Sequence, residues 1–198
     1  MTSRSSRSPP GNKSETLAYV FFHRPKRSVG AREYVRALVR FHRGLAVAHP
    51  DGFQESAAFS CSRAPWKETR PGPIYLDWYV VDGFPALDPL REVAYRPPWV
   101  GMHRAIARRA DVGWGAVYSA RSEARAPKRT ERLRWFSSTE ATVAWLDSRA
   151  REPVSEGTLW RRQLALGPSP EFCWASEVPT PSSLRRAMVE SKMVTLFG

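Results

Sequence analysis

The sequence predicts an α+β protein made of two consecutive β-α-β-β-α-β units. Three observations lead there. Short runs rich in aromatic and β-branched residues, such as Leu17–His23 and Ile74–Val81, read as strands. Residues 31–49 place apolar side chains at helical spacing. After a charged, proline-containing stretch at 121–131, the same order of elements starts again.

In chain order, residues 1–14 are polar and interrupted by Pro9, Pro10 and Gly11, and read as a disordered tail. Leu17–His23 is the first strand. The helix over 31–49 carries Val35, Leu38, Val39, His42 and Leu45 on one stripe and is stopped by Pro50-Asp51-Gly52. Phe53–Cys61 and Ile74–Val81 are strands. Residues 85–95 and 99–110 are helical, broken at Pro97-Pro98, and Gly113–Ala120 is the fourth strand. Residues 15–120 thus form a first unit and 121–131 a linker. In the second, shorter unit (132–198), Arg132–Phe136 is a strand. Ser138–Arg149 is a helix with Ser138 as N-cap and Val143, Leu146 and Ala150 on one face. Thr158–Leu166 and Glu171–Ser176 are strands joined by Gly167-Pro168-Ser169-Pro170. Ser182–Val189 is a short helix and Met193–Phe197 a final strand.

Composition bounds the function. Of 198 residues, 42% are hydrophobic and 12% aromatic, enough for a packed core. No apolar stretch approaches the roughly 20 residues that span a bilayer, and the start of the chain has no apolar signal core. Cytoplasm is the expected compartment. Cys61 and Cys173 are far apart and form no CxxC pair, which excludes a disulfide framework and a zinc knuckle. The net charge is +12, and only five of the 31 basic residues are lysine. Because the bases are spread over every segment, they suit small anions better than a dedicated nucleic-acid face.

A β-α-β-β-α-β unit leaves one face of its sheet uncovered. Two such units pressed face to face give a barrel with a pocket inside. On that element order, and on the segments FHRGLAVAHPDGF (41–53), YLDWYVVD (75–82) and LWRRQLALGPSPEFC (159–173), the chain resembles the dimeric α/β-barrel superfamily of ferredoxin-like proteins. Its members include antibiotic-biosynthesis monooxygenases, ether-degradation-type proteins and haem-binding chlorite-dismutase relatives. The resemblance covers residues 15–198 and implies a pseudo-dimeric barrel within one chain, as a monomer or homodimer. Haem-binding relatives place the iron-ligating histidine in the second half. Here no histidine follows His103, which departs from that pattern.

The strand 74–81 has two faces. Ile74, Leu76, Trp78 and Val80 form an apolar face suited to pack under helices. Tyr75, Asp77 and Tyr79 form the other and are expected to face the barrel interior, where burial raises the Asp77 pKa and suits it to general-base work. His42 and His103 are further catalytic candidates, His42 being also explicable as a core histidine. Tyr75, Tyr79, Trp66, Trp114, Arg161 and Gln163 are candidate substrate contacts, with Arg161 pointing inward to hold an anion. Pairing of Glu171 with an arginine, and a buried inert Cys173, are the structural expectations. HxH, HxxxH and HExxH are absent, as are GxGxxG, the P-loop and GxSxG. No metal site and no cofactor is expected, with haem and flavin left open.

These residues fit a small-molecule enzyme of specialised metabolism: a cofactor-independent oxygenase, cyclase or isomerase acting on an aromatic or polyketide-like substrate. A non-catalytic ligand-binding protein with the same pocket is the alternative. RNA binding through the open sheet face is a second, set against the missing RNA-recognition signature in GPIYLDWYVV.

Overall fold

The computed structural model describes residues 15–66, 71–120, 124–150 and 157–198. The segment expected to be a disordered tail lies outside them. The first unit comprises β1 (Thr16–Pro25), α1 (Ala31–Ala48), β2 (Phe53–Cys61), β3 (Ile74–Asp82), α2 (Leu87–Tyr95), α3 (Val100–Ala107) and β4 (Ala110–Ala120). The second comprises β5 (Arg132–Phe136), α4 (Glu140–Ala150), β6 (Thr158–Leu166), β7 (Phe172–Ser176), β8 (Val189–Ser191) and β9 (Met193–Phe197). All pair in one antiparallel sheet of nine strands, in the order β8-β5-β7-β6-β4-β1-β3-β2-β9.

The two ends of this sheet belong to almost adjacent residues. β8 pairs with β5 at one edge and β9 with β2 at the other, with Lys192 alone between them. The Ser62 amide donates to the Lys192 carbonyl at 3.0 Å, and the Ser191 hydroxyl donates to the Arg63 carbonyl at 2.8 Å. The chain thereby crosses from one edge to the other and nearly closes the sheet into a barrel. Closure removes edges that would otherwise invite strand pairing with another chain.

The barrel interior is filled. Ala18, Val20 and Phe22 of β1, Leu76, Trp78 and Val80 of β3, and Tyr118 of β4 meet Leu133, Trp135, Trp160 and Cys173 of the second unit. Trp78 lies 5.3 Å from Trp160 and 6.3 Å from Trp135 between ring centroids. The expected assignment of the two β3 faces is therefore inverted. The wholly apolar face enters the barrel, and Tyr75, Asp77 and Tyr79 lie beneath α1. The inside of the nearly closed barrel takes the face without a charged group; the polar atom on that face, the Trp78 indole nitrogen, is buried there without a hydrogen-bond partner.

Three local expectations also change. Ser182–Val189 is one short 3-10 turn at Ser182–Leu184, and Val189 already belongs to β8. α4 starts at Glu140, and the Thr139 hydroxyl, rather than Ser138, accepts the first-turn amide of Thr142. Val143 is exposed, while Thr142 is buried and Leu146 packs on the Phe136 cluster. In the described part of the 121–131 stretch, Ala126 and Glu131 are buried, and the Ala126 amide donates to Glu55 Oε1 at 2.5 Å. Among the described residues, no helix is long and apolar enough to cross a membrane.

Candidate active site

α1 lies across the outer face of the first unit with Tyr34, Leu38, His42 and Leu45 turned to the sheet, a spacing of four, four and three that keeps one stripe. Two of those four carry polar atoms, which need partners once buried. β1 and β3 supply them. In their antiparallel register His23 stands opposite Tyr75, and Phe21 opposite Asp77. β2 adds Ser56, opposite Tyr79. A bulge at Gln54 puts Phe53 and Ser56 on the same side of β2, although they are three positions apart and regular alternation would oppose them.

The result is a buried chain of polar groups. The Asp77 carboxylate sits between two imidazoles, its Oδ1 at 3.2 Å from His23 Nε2 and 3.2 Å from His42 Nε2. Neither contact is aligned as a good hydrogen bond, so these are close electrostatic approaches. The Tyr79 hydroxyl donates to Asp77 Oδ2 at 3.0 Å. At the far side of each ring a hydroxyl meets Nδ1: Tyr34 on His23 at 2.6 Å, Ser56 on His42 at 2.9 Å. His23 is 2% exposed, His42 0% and Asp77 5%. A carboxylate accepts only, which assigns an N–H to the Nε2 of each neutral ring. Nδ1 is then the acceptor for the Tyr34 and Ser56 hydroxyl protons. Order along the chain is hydroxyl, imidazole, carboxylate, imidazole, hydroxyl.

Burial alone pushes the Asp77 pKa up. Electrostatic attraction to His23 and His42 outweighs it and holds the carboxyl well below the usual range. The expected raised pKa is thus corrected: Asp77 is a fixed anion, and the group placed to exchange protons is an imidazole. Burial, and then the Asp77 charge, push the Tyr79 phenol well up, so it stays a donor. Aromatic rings seal the network. His42 stacks on Tyr79 at 5.2 Å and 3°, and Phe197 lies 5.4 Å from the same ring, tilted by 35°. His23 stacks on Tyr75 at 5.8 Å, and Tyr75 meets Tyr34 at 5.0 Å.

Asp77, His42, Tyr75 and Tyr79 are therefore brought together. The other candidates are not. His103 packs between Phe41 (5.7 Å) and Tyr95 (5.3 Å), and burial lowers its pKa. Trp66 and Trp114 pack on each other at 5.0 Å, and Trp66 borders a separate cavity of about 560 Å³ beside Arg24 and Gly72. Arg161 and Gln163 are exposed on β6, and Gln163 donates to the Ser119 hydroxyl at 2.7 Å. Trp160 takes the inward place expected for Arg161. Glu171 accepts from the Ser138 hydroxyl at 2.6 Å. Cys173 is fully buried, which pushes its thiol well up. His23, Tyr34 and Ser56 complete the site without having been singled out. The signal for them was His42 itself, a titratable ring on an apolar stripe that demands polar partners across the interface. Among the described residues, no group of His, Cys, Asp and Glu is arranged to hold a metal ion.

A second cavity, of about 710 Å³, lies beside Ser56. It is bordered by β2, the end of α1, residues 125–129 and the end of the chain.

The architecture matches solved structures over nearly the whole chain. The fold is that of the ferredoxin-like α/β barrels. A proposed monooxygenase of Fusobacterium nucleatum subsp. nucleatum aligns with 92% of this chain and 93% of its own, at TM-score 0.57 and 7% identity. A proposed chlorite dismutase aligns over 92% and 96%, at 0.52 and 15%. An anthrone oxidase-like protein aligns over 92% of each chain, at 0.51 and 6%. At such identities the likeness concerns the fold. No family model matches the chain, and no curated protein does.

Proposed function

We propose that this protein is a small-molecule enzyme that moves a proton at its substrate through Ser56, His42 and Asp77. The observation that carries the reading is the buried Asp77 anion held between two imidazoles, each with its outer nitrogen on a hydroxyl. Buried charges of this kind cost stability unless fully paired, and they collect at functional sites.

The chemistry follows from the wiring. His42 Nδ1 is placed to take the Ser56 hydroxyl proton, while Ser56 Oγ takes one from an acidic C–H or O–H of the substrate. The imidazolium formed on His42 is stabilised by Asp77 at 3.2 Å. The substrate becomes an enolate or phenolate. Such an electron-rich species reacts with dioxygen in an oxygenase, closes on an internal electrophile in a cyclase, or is reprotonated elsewhere in an isomerase. The structural neighbours described as a proposed monooxygenase and an anthrone oxidase-like protein favour the first of these, on an aromatic or polyketide-like phenol. These residues supply the acid–base steps themselves, so the proposal is cofactor-independent. A visible absorption band in the purified protein, from haem or flavin, overturns that part.

RNA binding through an open sheet face loses its surface, because that face of the first unit is inside the barrel. The decisive experiment incubates the protein with aromatic acids and polyketide-like phenols, following oxygen uptake and products by mass spectrometry. Asp77→Asn is expected to lower turnover at least about 100-fold with the circular dichroism spectrum retained. Undiminished turnover removes Asp77 from the mechanism. Ligands bound and recovered unchanged favour the non-catalytic alternative.

A further inference from the structure

We propose that the cavity beside Ser56 binds an anionic ligand with an apolar body of aromatic size, its charge at residues 125–129 and its body against Phe53 and Phe197. Four observations meet there. The volume, about 710 Å³, lies in the range of small-molecule sites. The cavity exists because strand pairing stops: β9 covers β2 only from Ala58 to Cys61, and Phe53–Ala57 have no strand on their outer side.

Charge at the cavity is lopsided. Among the described side chains that border it, Arg125, Lys128 and Arg129 are basic and Glu55 is acidic, and Glu55 already accepts the Ala126 amide. Arg125 spends part of its guanidinium on the Ala126 carbonyl at 2.9 Å and on Glu131 at 3.4 Å, while the Lys128 and Arg129 side chains stand exposed at the rim. A carboxylate, sulfonate or phosphate is the group such a rim attracts.

A polar side chain more than nine-tenths buried borders the same cavity. Ser56 is 7% exposed and its hydroxyl meets His42 Nδ1 at 2.9 Å. Ser56 is thus the member of the buried polar chain that reaches a cavity, whereas Tyr34 at the other end is 0% exposed. Phe197, which borders the cavity, also packs on His42. The ligand's apolar body and the imidazole share one aromatic wall. Contact between ligand and relay rests on the proton-transfer reading; the binding of an anion does not.

The probes are 1-naphthoate and its neutral isostere 1-naphthamide, titrated by calorimetry at low salt. The wild type is expected to bind naphthoate at least tenfold tighter than the amide. Lys128→Glu with Arg129→Glu, both exposed and therefore tolerated by the fold, is expected to cost naphthoate tenfold or more and leave the amide unchanged. Equal affinities for the two probes, or an indifferent double variant, overturn the cavity assignment whatever the relay does. The link to the relay is read separately from the ring nitrogens of His42 by NMR. Naphthoate is expected to shift them in the wild type and in Ser56→Thr, and not in Ser56→Ala. Charge-dependent binding that leaves His42 unmoved keeps the cavity and overturns Ser56 as its connection to the relay.

Discussion

Asp77 is the residue on which the site turns. Withdrawing a carboxylate from water costs several kcal/mol, offset only when its oxygens are paired; here two imidazoles and the Tyr79 hydroxyl share that task. Tyr79→Phe leaves Asp77 Oδ2 without its donor, and a stability loss of about 1–3 kcal/mol is expected in urea unfolding. The pH dependence has a definite sign. The folded pKa of Asp77 lies below its unfolded value, so its contribution is complete above the ordinary carboxylate range and is lost as pH falls below it. Unfolding free energy of the wild type is expected to fall as pH drops below about 4, and Asp77→Asn to flatten that slope. An equally steep slope in the variant places the acid sensitivity elsewhere. The sequence made the Tyr75–Asp77–Tyr79 face legible through simple alternation. It assigned that face to the wrong side, the barrel interior, because both sides of the sheet are buried, one by α1 and one by the barrel. Ser56 was illegible for another reason: the Gln54 bulge resets the alternation of β2.

At the scale of elements, the turn into β2 and the strand that ends the chain set the site's geometry. Gly52 has φ +74, and a Cβ there would come within 2.5 Å of the Ala86 side chain. Gly52→Ala is expected to cost about 1–3 kcal/mol, measured by thermal or denaturant unfolding. β9 lies on β2 and delivers Phe197 onto His42. Deleting residues 193–198 bares the β2 edge and uncovers that ring. A fall in Tm of about 5–10 °C is expected, with self-association through the exposed edge visible by size-exclusion chromatography. An unchanged melting curve would falsify the closing role given to β9. The strand itself was legible from the run Met193–Phe197, whereas its neighbour β8 was not. Ser182–Val189 carries helical spacing, but pairing of Val189–Ser191 with β5 completes the barrel and overrides that local preference.

For the whole molecule, one chain supplies both halves of the barrel and its last residues join the two edges. The apolar face that a single unit leaves open is covered within the chain, so a monomer of 22.4 kDa is expected by light scattering. The order of elements was largely legible, since aromatic strands and one strongly amphipathic helix survive tertiary context. The pocket was misplaced, because the sequence does not reveal how large side chains from two units share a volume. Trp78, Trp135 and Trp160 fill the barrel, and space for a ligand is left outside it, at the uncovered part of β2.

The most direct test of the central claim, that Asp77 wires two imidazoles into a proton relay, is a long-range proton–nitrogen NMR spectrum of the histidine rings at neutral pH. His23 and His42 are expected to carry their proton on Nε2 when neutral, and both ring signals to move in Asp77→Asn. A proton on Nδ1 of either ring, or signals that do not respond to the loss of the carboxylate, contradicts the account.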